Sequence, residues 1–183
     1  MSLDQVLVDH GAPTLAGMKT GSLFPVKNGV EDINPELRRV NRLLAPRGLR
    51  LVPLRKSSRG TLVYLYRPQR LKKDLSYPEA ADILRQKGYP CGHPDRCIVE
   101  LIRQLESGGD FPHEIGLFLS YPPSDVKCFM KDSREGVKCV GCWKAYSHQE
   151  EAEKTFERYN RCTQVYRRVY KKGRSLERLI VSE

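Results

Sequence analysis

The sequence lacks long hydrophobic runs. Its longest apolar stretches are only a few residues, such as residues 62–66, whereas a membrane-spanning helix needs roughly 20. The first ten residues contain Asp4 and Asp9 and lack the basic start and continuous apolar centre of a signal peptide. These absences predict a protein with no membrane partner and a cytoplasmic location.

Internal repeats and low-complexity linkers are also absent from the sequence. The chain has 183 residues, of which 39% are hydrophobic and 30% are charged. This length suits one domain, and this composition favours a packed core over disorder. We therefore expect residues 1–183 to form a single domain.

The six cysteines include only one CxxC pair, Cys139 and Cys142. Without an export signal, free thiols or metal ligands are favoured over disulfides. A CxxC suits a zinc knuckle or a redox dithiol, so a cysteine-based metal or redox protein is one alternative. A second, looser cluster consists of Cys91, His93 and Cys97. Three further residues could complete a site with the CxxC pair only if the fold brings them close to it: Cys128, His148 and Cys162.

Hydrophobic periodicity predicts mixed secondary structure. Residues 49–55 and 61–67 form a predicted hairpin, in which Pro53 places the first strand at an edge and the apolar second strand is central. The other predicted elements are a loop over residues 11–21, a strand over 22–26, a helix from Asn34, a capping box at Ser76 and Glu79, a helix starting near Asp110, a strand over 137–146 and a long helix ending at Gly173. This order predicts an α+β or α/β fold with a small sheet of about four strands covered by helices.

The formal net charge of +10 favours anionic partners. The final helix concentrates this charge at Arg158, Arg161, Arg167, Arg168 and Lys171. A nucleic-acid-binding module using that helix is therefore a second alternative. The simpler interpretation is a solvated basic face.

Three segments, taken in order, resemble a known family. They are residues 12–19 with 22–24, residues 111–122 with 125–126, and residues 139–146; the Phe-Pro-His-Glu-Ile-Gly sequence at 111–116 is the most specific part. Together they resemble the uncharacterised bacterial domain-of-unknown-function family 3793 over nearly the whole chain. The resemblance implies a single-domain cytosolic bacterial protein and supplies no activity.

The main hypothesis is a site for an anionic small ligand or cofactor. Thr14 and Lys19 could hydrogen-bond and neutralise an anion, and His113 could join them at a predicted helix start. His113 and Glu114 are also the candidate catalytic residues, because a histidine and a carboxylate can move protons near neutral pH. The structural alternative is that His113 satisfies a buried backbone group and Glu114 caps the helix. No motif names a cofactor or establishes an enzyme.

Overall fold

The computed structural model describes residues 2–27 and 33–183. Within them the strands are β1 Gly21–Val26, β2 Arg50–Ser57, β3 Gly60–Tyr66, β4 Cys139–Val140 and β5 Lys144–Ala145. The α-helices of the same ranges are α1 Leu3–Leu15, α2 Asn34–Leu44, α3 Pro68–Ser76, α4 Pro78–Gln86, α5 Pro94–Glu106, α6 Ile115–Phe118, α7 Pro123–Lys131 and α8 Gln149–Lys171. The α+β prediction is confirmed.

The chain divides into two compact units. The first unit consists of Met1–Gln69 and Tyr159–Glu183, and the second unit of Arg70–Arg158. Helix α8 supplies residues to both. Within the described ranges, every helix is too short or too polar to cross a lipid bilayer.

The first unit contains an antiparallel sheet with the order β1-β3-β2. The central strand β3 is buried along nearly its whole length, as its apolar residues on both faces predict. Pro25 and Pro53 both lie on edge strands, where a missing N–H leaves no gap in a central ladder. The predicted hairpin is confirmed, with its first strand, β2, at an edge of the sheet and its second strand, β3, in the centre. The sequence predicted one sheet of about four strands. Among the described residues there are instead two: this three-stranded sheet and a separate two-stranded sheet, the β4–β5 hairpin.

Helix α1 covers residues that were expected to form a loop. It continues through Pro13 to Leu15, because Ala12 and Leu15 are fully buried in the core of the unit. Gly11 permits close packing, since a Cβ there would lie 2.8 Å from Leu65 Cδ2. Pro13 cannot donate to the carbonyl of Asp9. That carbonyl accepts a hydrogen bond from Arg167 Nη2 instead, at 3.4 Å.

Arg67, immediately after β3, is a fully buried cation with 1% exposure. Its Nε donates to Thr14 O at 2.9 Å, and its Nη2 donates to Leu15 O at 3.1 Å and Val181 O at 2.7 Å. Carbonyls at the end of a helix lack partners within the helix and carry partial negative charge. One guanidinium therefore ties the end of α1 and the C-terminal segment to β3.

The second unit corrects three sequence-based predictions. Ser76 ends α3 and donates to Lys73 O at 2.7 Å, so it does not form a capping box with Glu79. The helix expected from Asp110 spans only Ile115–Phe118. The strand expected over residues 137–146 is the β4–β5 hairpin. Its turn contains Gly141, where a Cβ would lie 2.2 Å from the ring of Phe156, so the chain turns closely over that ring.

Replacing Arg67 with methionine tests the tie between α1, β3 and the C-terminal segment. We expect Arg67→Met to lower the free energy of unfolding by about 3 kcal/mol, because the carbonyls of Thr14, Leu15 and Val181 lose a charged donor. Urea unfolding followed by far-UV circular dichroism measures the change. Arg55→Met, at an exposed position of β2, is the matched control and should shift stability by less than about 0.5 kcal/mol. Equal effects of the two substitutions would show that the Arg67 hydrogen bonds do not hold the unit together.

Candidate functional site

Thr14 and Lys19 lie in the first unit. Thr14 is in the last turn of α1 and fully buried, and its Oγ1 lies 2.8 Å from Ser22 Oγ in a hydrogen bond. Lys19 is half-buried, with Nζ 5.9 Å from the centroid of the Tyr159 ring. The hydroxyl of Thr14 thus joins α1 to β1, whereas the loop hypothesis expected it to face a ligand.

His113 and Glu114 lie in the second unit, in the turn before α6. The side chain of Glu114 is directed inward: the residue is 2% exposed, and its Oε1 accepts a hydrogen bond from Tyr89 Oη at 3.0 Å. Burial and then the negative charge of Glu114 raise the pKa of Tyr89 far above its usual value, so the phenol stays protonated and keeps donating. The buried Tyr89–Glu114 pair is therefore a structural contact.

His113, in contrast, is exposed and contacts two aromatic rings. Its ring centroid lies 5.1 Å from that of Phe129, edge to face, and 5.9 Å from that of Phe111. The neighbours His113 and Glu114 therefore have different surroundings, and His113 lines a cavity.

This aromatic cavity of the second unit has a volume of about 290 Å³. It is formed by the turn before α6, by α6 and α7, and by the β4–β5 hairpin. The lining residues are mainly aromatic or aliphatic: Phe111, His113, Ile115, Gly116, Tyr121, Asp125, Val126, Phe129, Val140, Gly141, Cys142, Trp143 and Lys144. An apolar pocket with a few polar groups is the usual form of a small-molecule site.

One wall of the aromatic cavity is a pair of stacked rings, Tyr121 and Trp143, with centroids 5.1 Å apart and planes at 29°. Trp143 also meets Phe156 edge to face at 4.5 Å. Tyr121 Oη donates to Cys142 O at 2.8 Å. These contacts hold two π faces in fixed positions beside the cavity.

Asp125 fixes the orientation of Trp143. The carboxylate is 3% exposed, and its Oδ2 accepts from Trp143 Nε1 at 2.9 Å. Its Oδ1 accepts from Tyr146 N at 3.0 Å and from the N and Oγ of Ser147 at 3.3 Å each. One carboxylate of α7 therefore accepts four hydrogen bonds that position the hairpin, and this role occupies both oxygens.

Lys144 supplies a positive charge to the aromatic cavity. Its Nζ lies 5.7 Å from the centroid of Phe129, within the range of a cation–π contact. The same ammonium donates to Ser133 O at 2.9 Å. An ammonium has three protons to donate, so these contacts hold the charge in place and leave it donor capacity.

Gly116 allows the floor of the cavity to form. A Cβ at this position would lie 2.8 Å from Val126 Cγ2 and 3.0 Å from Tyr121 Cδ2. The glycine of the Phe-Pro-His-Glu-Ile-Gly sequence is thus required for close packing between α6 and the chain that follows it.

Sequence reasoning identified His113 and Cys142 as site candidates but missed most of the cavity. The missed residues that shape it are Tyr121, Asp125, Phe129, Trp143 and Lys144. All except Phe129 lie in the segments 111–122, 125–126 and 139–146, which carried the family resemblance. The family resemblance could have suggested that these segments form one site, because two of its three segment groups line the aromatic cavity.

The cysteine candidates separate in the structure. Cys142 is exposed and lines the aromatic cavity, whereas Cys139 is half-buried on β4 and is not a lining residue. Cys91, His93 and Cys97 line a smaller cavity of about 120 Å³. Across residues 2–27 and 33–183, no three His, Cys, Asp or Glu side chains are grouped closely enough to hold a metal ion.

The basic residues of α8 are exposed, as their polar pattern predicts: Arg158, Arg161, Arg167, Arg168 and Lys171. Arg167 pairs with Asp9, with 2.5 Å between Nε and Oδ1. This ion pair lies beside the freed carbonyl of Asp9 and fixes the guanidinium of Arg167.

The fold and the site define an α+β protein with an aromatic cavity built on a helix–hairpin unit. The chain belongs to the family described as Protein of unknown function (DUF3793), whose model matches residues 7–180. No curated protein and no solved structure matches the chain.

Replacing Asp125 with asparagine tests the anchoring of the hairpin. An amide oxygen cannot accept all four hydrogen bonds, and the amide NH2 would face donors that now meet a carboxylate. We expect Asp125→Asn to destabilise the second unit by about 1–3 kcal/mol. Trp143 is the only tryptophan of the chain, so urea unfolding followed by its fluorescence reports on this unit. Asp110→Asn, at an exposed position, is the control; an Asp125→Asn midpoint equal to the control's would contradict the anchoring role.

Thiol labelling tests the burial of the cysteines. Burial raises the pKa of both Cys97 and Cys162 to about 11. At pH 8 these two groups remain protonated thiols, and only the thiolate reacts with a disulfide reagent. We therefore expect Cys97 and Cys162 to react slowly with dithiobisnitrobenzoate at pH 8, and the exposed Cys128 and Cys142 to react in the fast phase.

Serine substitutions assign the labelling phases. Cys128→Ser and Cys142→Ser should each remove one equivalent from the fast phase, whereas Cys97→Ser should leave the fast phase intact. Denatured protein, in which all six thiols react, calibrates the total. Loss of fast-phase amplitude in Cys97→Ser would show that this thiol is accessible.

Proposed function

We propose that the protein binds a small molecule with a flat apolar body and one anionic group, and that the aromatic cavity of the second unit is its binding site. The observation that carries this proposal is the combination of the Tyr121–Trp143 stack with the ammonium of Lys144 in one cavity. The sequence-based hypothesis placed an anionic ligand at Thr14, Lys19 and His113; the present proposal keeps His113 and replaces Thr14 and Lys19 with Lys144.

The size and lining of the cavity support an apolar ligand body. Its volume of about 290 Å³ is close to the lower end of the roughly 300–1,000 Å³ of small-molecule pockets, which suits a ligand of one or two rings. Aromatic groups prefer offset-stacked or edge-to-face contacts. A ligand ring would extend the Tyr121–Trp143 stack in the first geometry, and Phe129 with His113 would offer the second.

The charges at the cavity support an anionic substituent. Lys144 is the cation among the lining residues, and His113 adds a polar ring nitrogen. The carboxylate of Asp125 already accepts four hydrogen bonds, so it is poorly placed to recruit a cationic ligand. A cation above Phe129 would also meet the ammonium of Lys144.

Quenching of Trp143 fluorescence tests the proposal directly. Phenylacetate, its neutral amide and 2-phenylethylammonium share a ring and differ in charge, and none absorbs at the 295 nm used to excite tryptophan. We expect phenylacetate to cause a saturable change, and the amide to bind about tenfold more weakly, which corresponds to one charge-assisted contact of about 1.4 kcal/mol. The ammonium compound should bind most weakly.

Matched variants locate the site. Lys144→Met should remove the preference for phenylacetate over the amide, whereas Lys138→Met, at an exposed position just before β4, should keep it. His113→Ala should weaken binding, and His93→Ala, outside the aromatic cavity, should not. The proposal fails if none of the three compounds gives a saturable change, or if the preference for the carboxylate persists in Lys144→Met.

A further inference from the structure

A basic surface lies on the last part of α8, in the first unit. We define it as Gln164, Arg167, Arg168, Lys171 and Lys172, which line one shallow concavity. Residues 164, 167, 168 and 171 are spaced at i, i+3, i+4 and i+7, so they share one face of α8, and Lys172 directly follows the helix. Four cations, Arg167, Arg168, Lys171 and Lys172, therefore lie together at the end of α8.

The charge of this surface is not balanced locally. From Tyr159 to Arg174 the sequence contains no Asp or Glu and six cations: Arg161, Arg167, Arg168, Lys171, Lys172 and Arg174. Arg167 is paired with Asp9. Over the described ranges, Arg168, Lys171 and Lys172 form no ion pair with a carboxylate. Like charges this close repel one another, and a bound polyanion relieves that repulsion.

The helix dipole accounts for only part of this pattern. Cations stabilise a helix within its last turn, where the carbonyls lack partners. Arg161 and Arg167 lie before the last turn of α8, and Lys172 and Arg174 lie beyond its end at Lys171. The number and spread of the cations thus exceed what stabilisation of the helix end requires.

The apolar side of the same helix segment is already occupied. Tyr166, Val169 and Tyr170 pack against the core of the first unit, and Val165 is a single exposed apolar side chain in this segment. A helix that binds a membrane surface must present a broad apolar face for insertion. The basic surface presents cations without such a face, and this combination favours a phosphate backbone over a lipid surface.

We propose that the basic surface binds the phosphate backbone of nucleic acid, without recognition of individual bases. Arg168, Lys171 and Lys172 contact successive phosphates, and Arg167, held by Asp9, borders them. Such binding is driven by the release of counterions, so the logarithm of the affinity falls with the logarithm of the salt concentration by about 0.9 for each phosphate neutralised.

Fluorescence anisotropy of the full chain with a labelled 20-base-pair DNA duplex, between 50 and 300 mM KCl, tests this proposal. Neutralising three phosphates predicts a salt slope of about −2.7. Arg168→Gln should reduce the magnitude of the slope by about one. The triple variant Arg168→Glu, Lys171→Glu, Lys172→Glu should raise Kd at 100 mM KCl at least about a hundredfold.

A second triple variant separates the surface from net charge. Arg38→Glu, Arg42→Glu, Arg55→Glu changes the net charge by the same amount at exposed positions of α2 and β2, and it should keep most of the affinity. Equal loss in both triple variants would overturn the proposal, as would duplex binding that is absent or unchanged in the first triple variant. Binding to phosphatidylserine–phosphatidylcholine vesicles in place of the duplex would also overturn it and would assign the surface to membranes.

Discussion

The buried guanidinium of Arg67 is the interaction on which the first unit depends. It lies after the central strand and donates to carbonyls of α1 and of the C-terminal segment. A buried charge without partners would cost several kcal/mol, so these three elements must meet around it. The packing of α1 on the sheet, which includes the close approach of Gly11 to Leu65, follows from this arrangement.

The second unit uses the same principle with the opposite charge. The carboxylate of Asp125 is satisfied by an indole N–H, two backbone N–H groups and a hydroxyl. Arg67 donates to backbone carbonyls and Asp125 accepts from neutral donors, and each buried charge fixes a place where separate segments meet. The hydrogen bond from Trp143 to Asp125 also fixes the plane of the indole ring, so this buried carboxylate shapes the aromatic cavity.

The two proposed sites use different physical forces. The aromatic cavity would gain affinity from buried apolar area, with Lys144 selecting for charge, because its walls are rings held by mutual contacts. The basic surface of α8 would gain affinity from counterion release and would lose it in salt. The aromatic cavity belongs to the second unit and the basic surface to the first.

The sequence by itself determined the α+β class, the β2–β3 hairpin with β3 as the central strand of the sheet, the amphipathic helices and the basic character of α8. These features follow from local periodicity, from the restrictions of proline and from charge, all of which act over a few residues. Tertiary contacts decided the rest. Pro13 remains helical because its neighbours are buried and Arg167 binds the carbonyl that the proline leaves free. Residues 137–146 form a hairpin because Gly141 packs on Phe156 and Asp125 holds Trp143 and Tyr146. The aromatic cavity depends on contacts between residues far apart in the chain, and no local pattern encodes them.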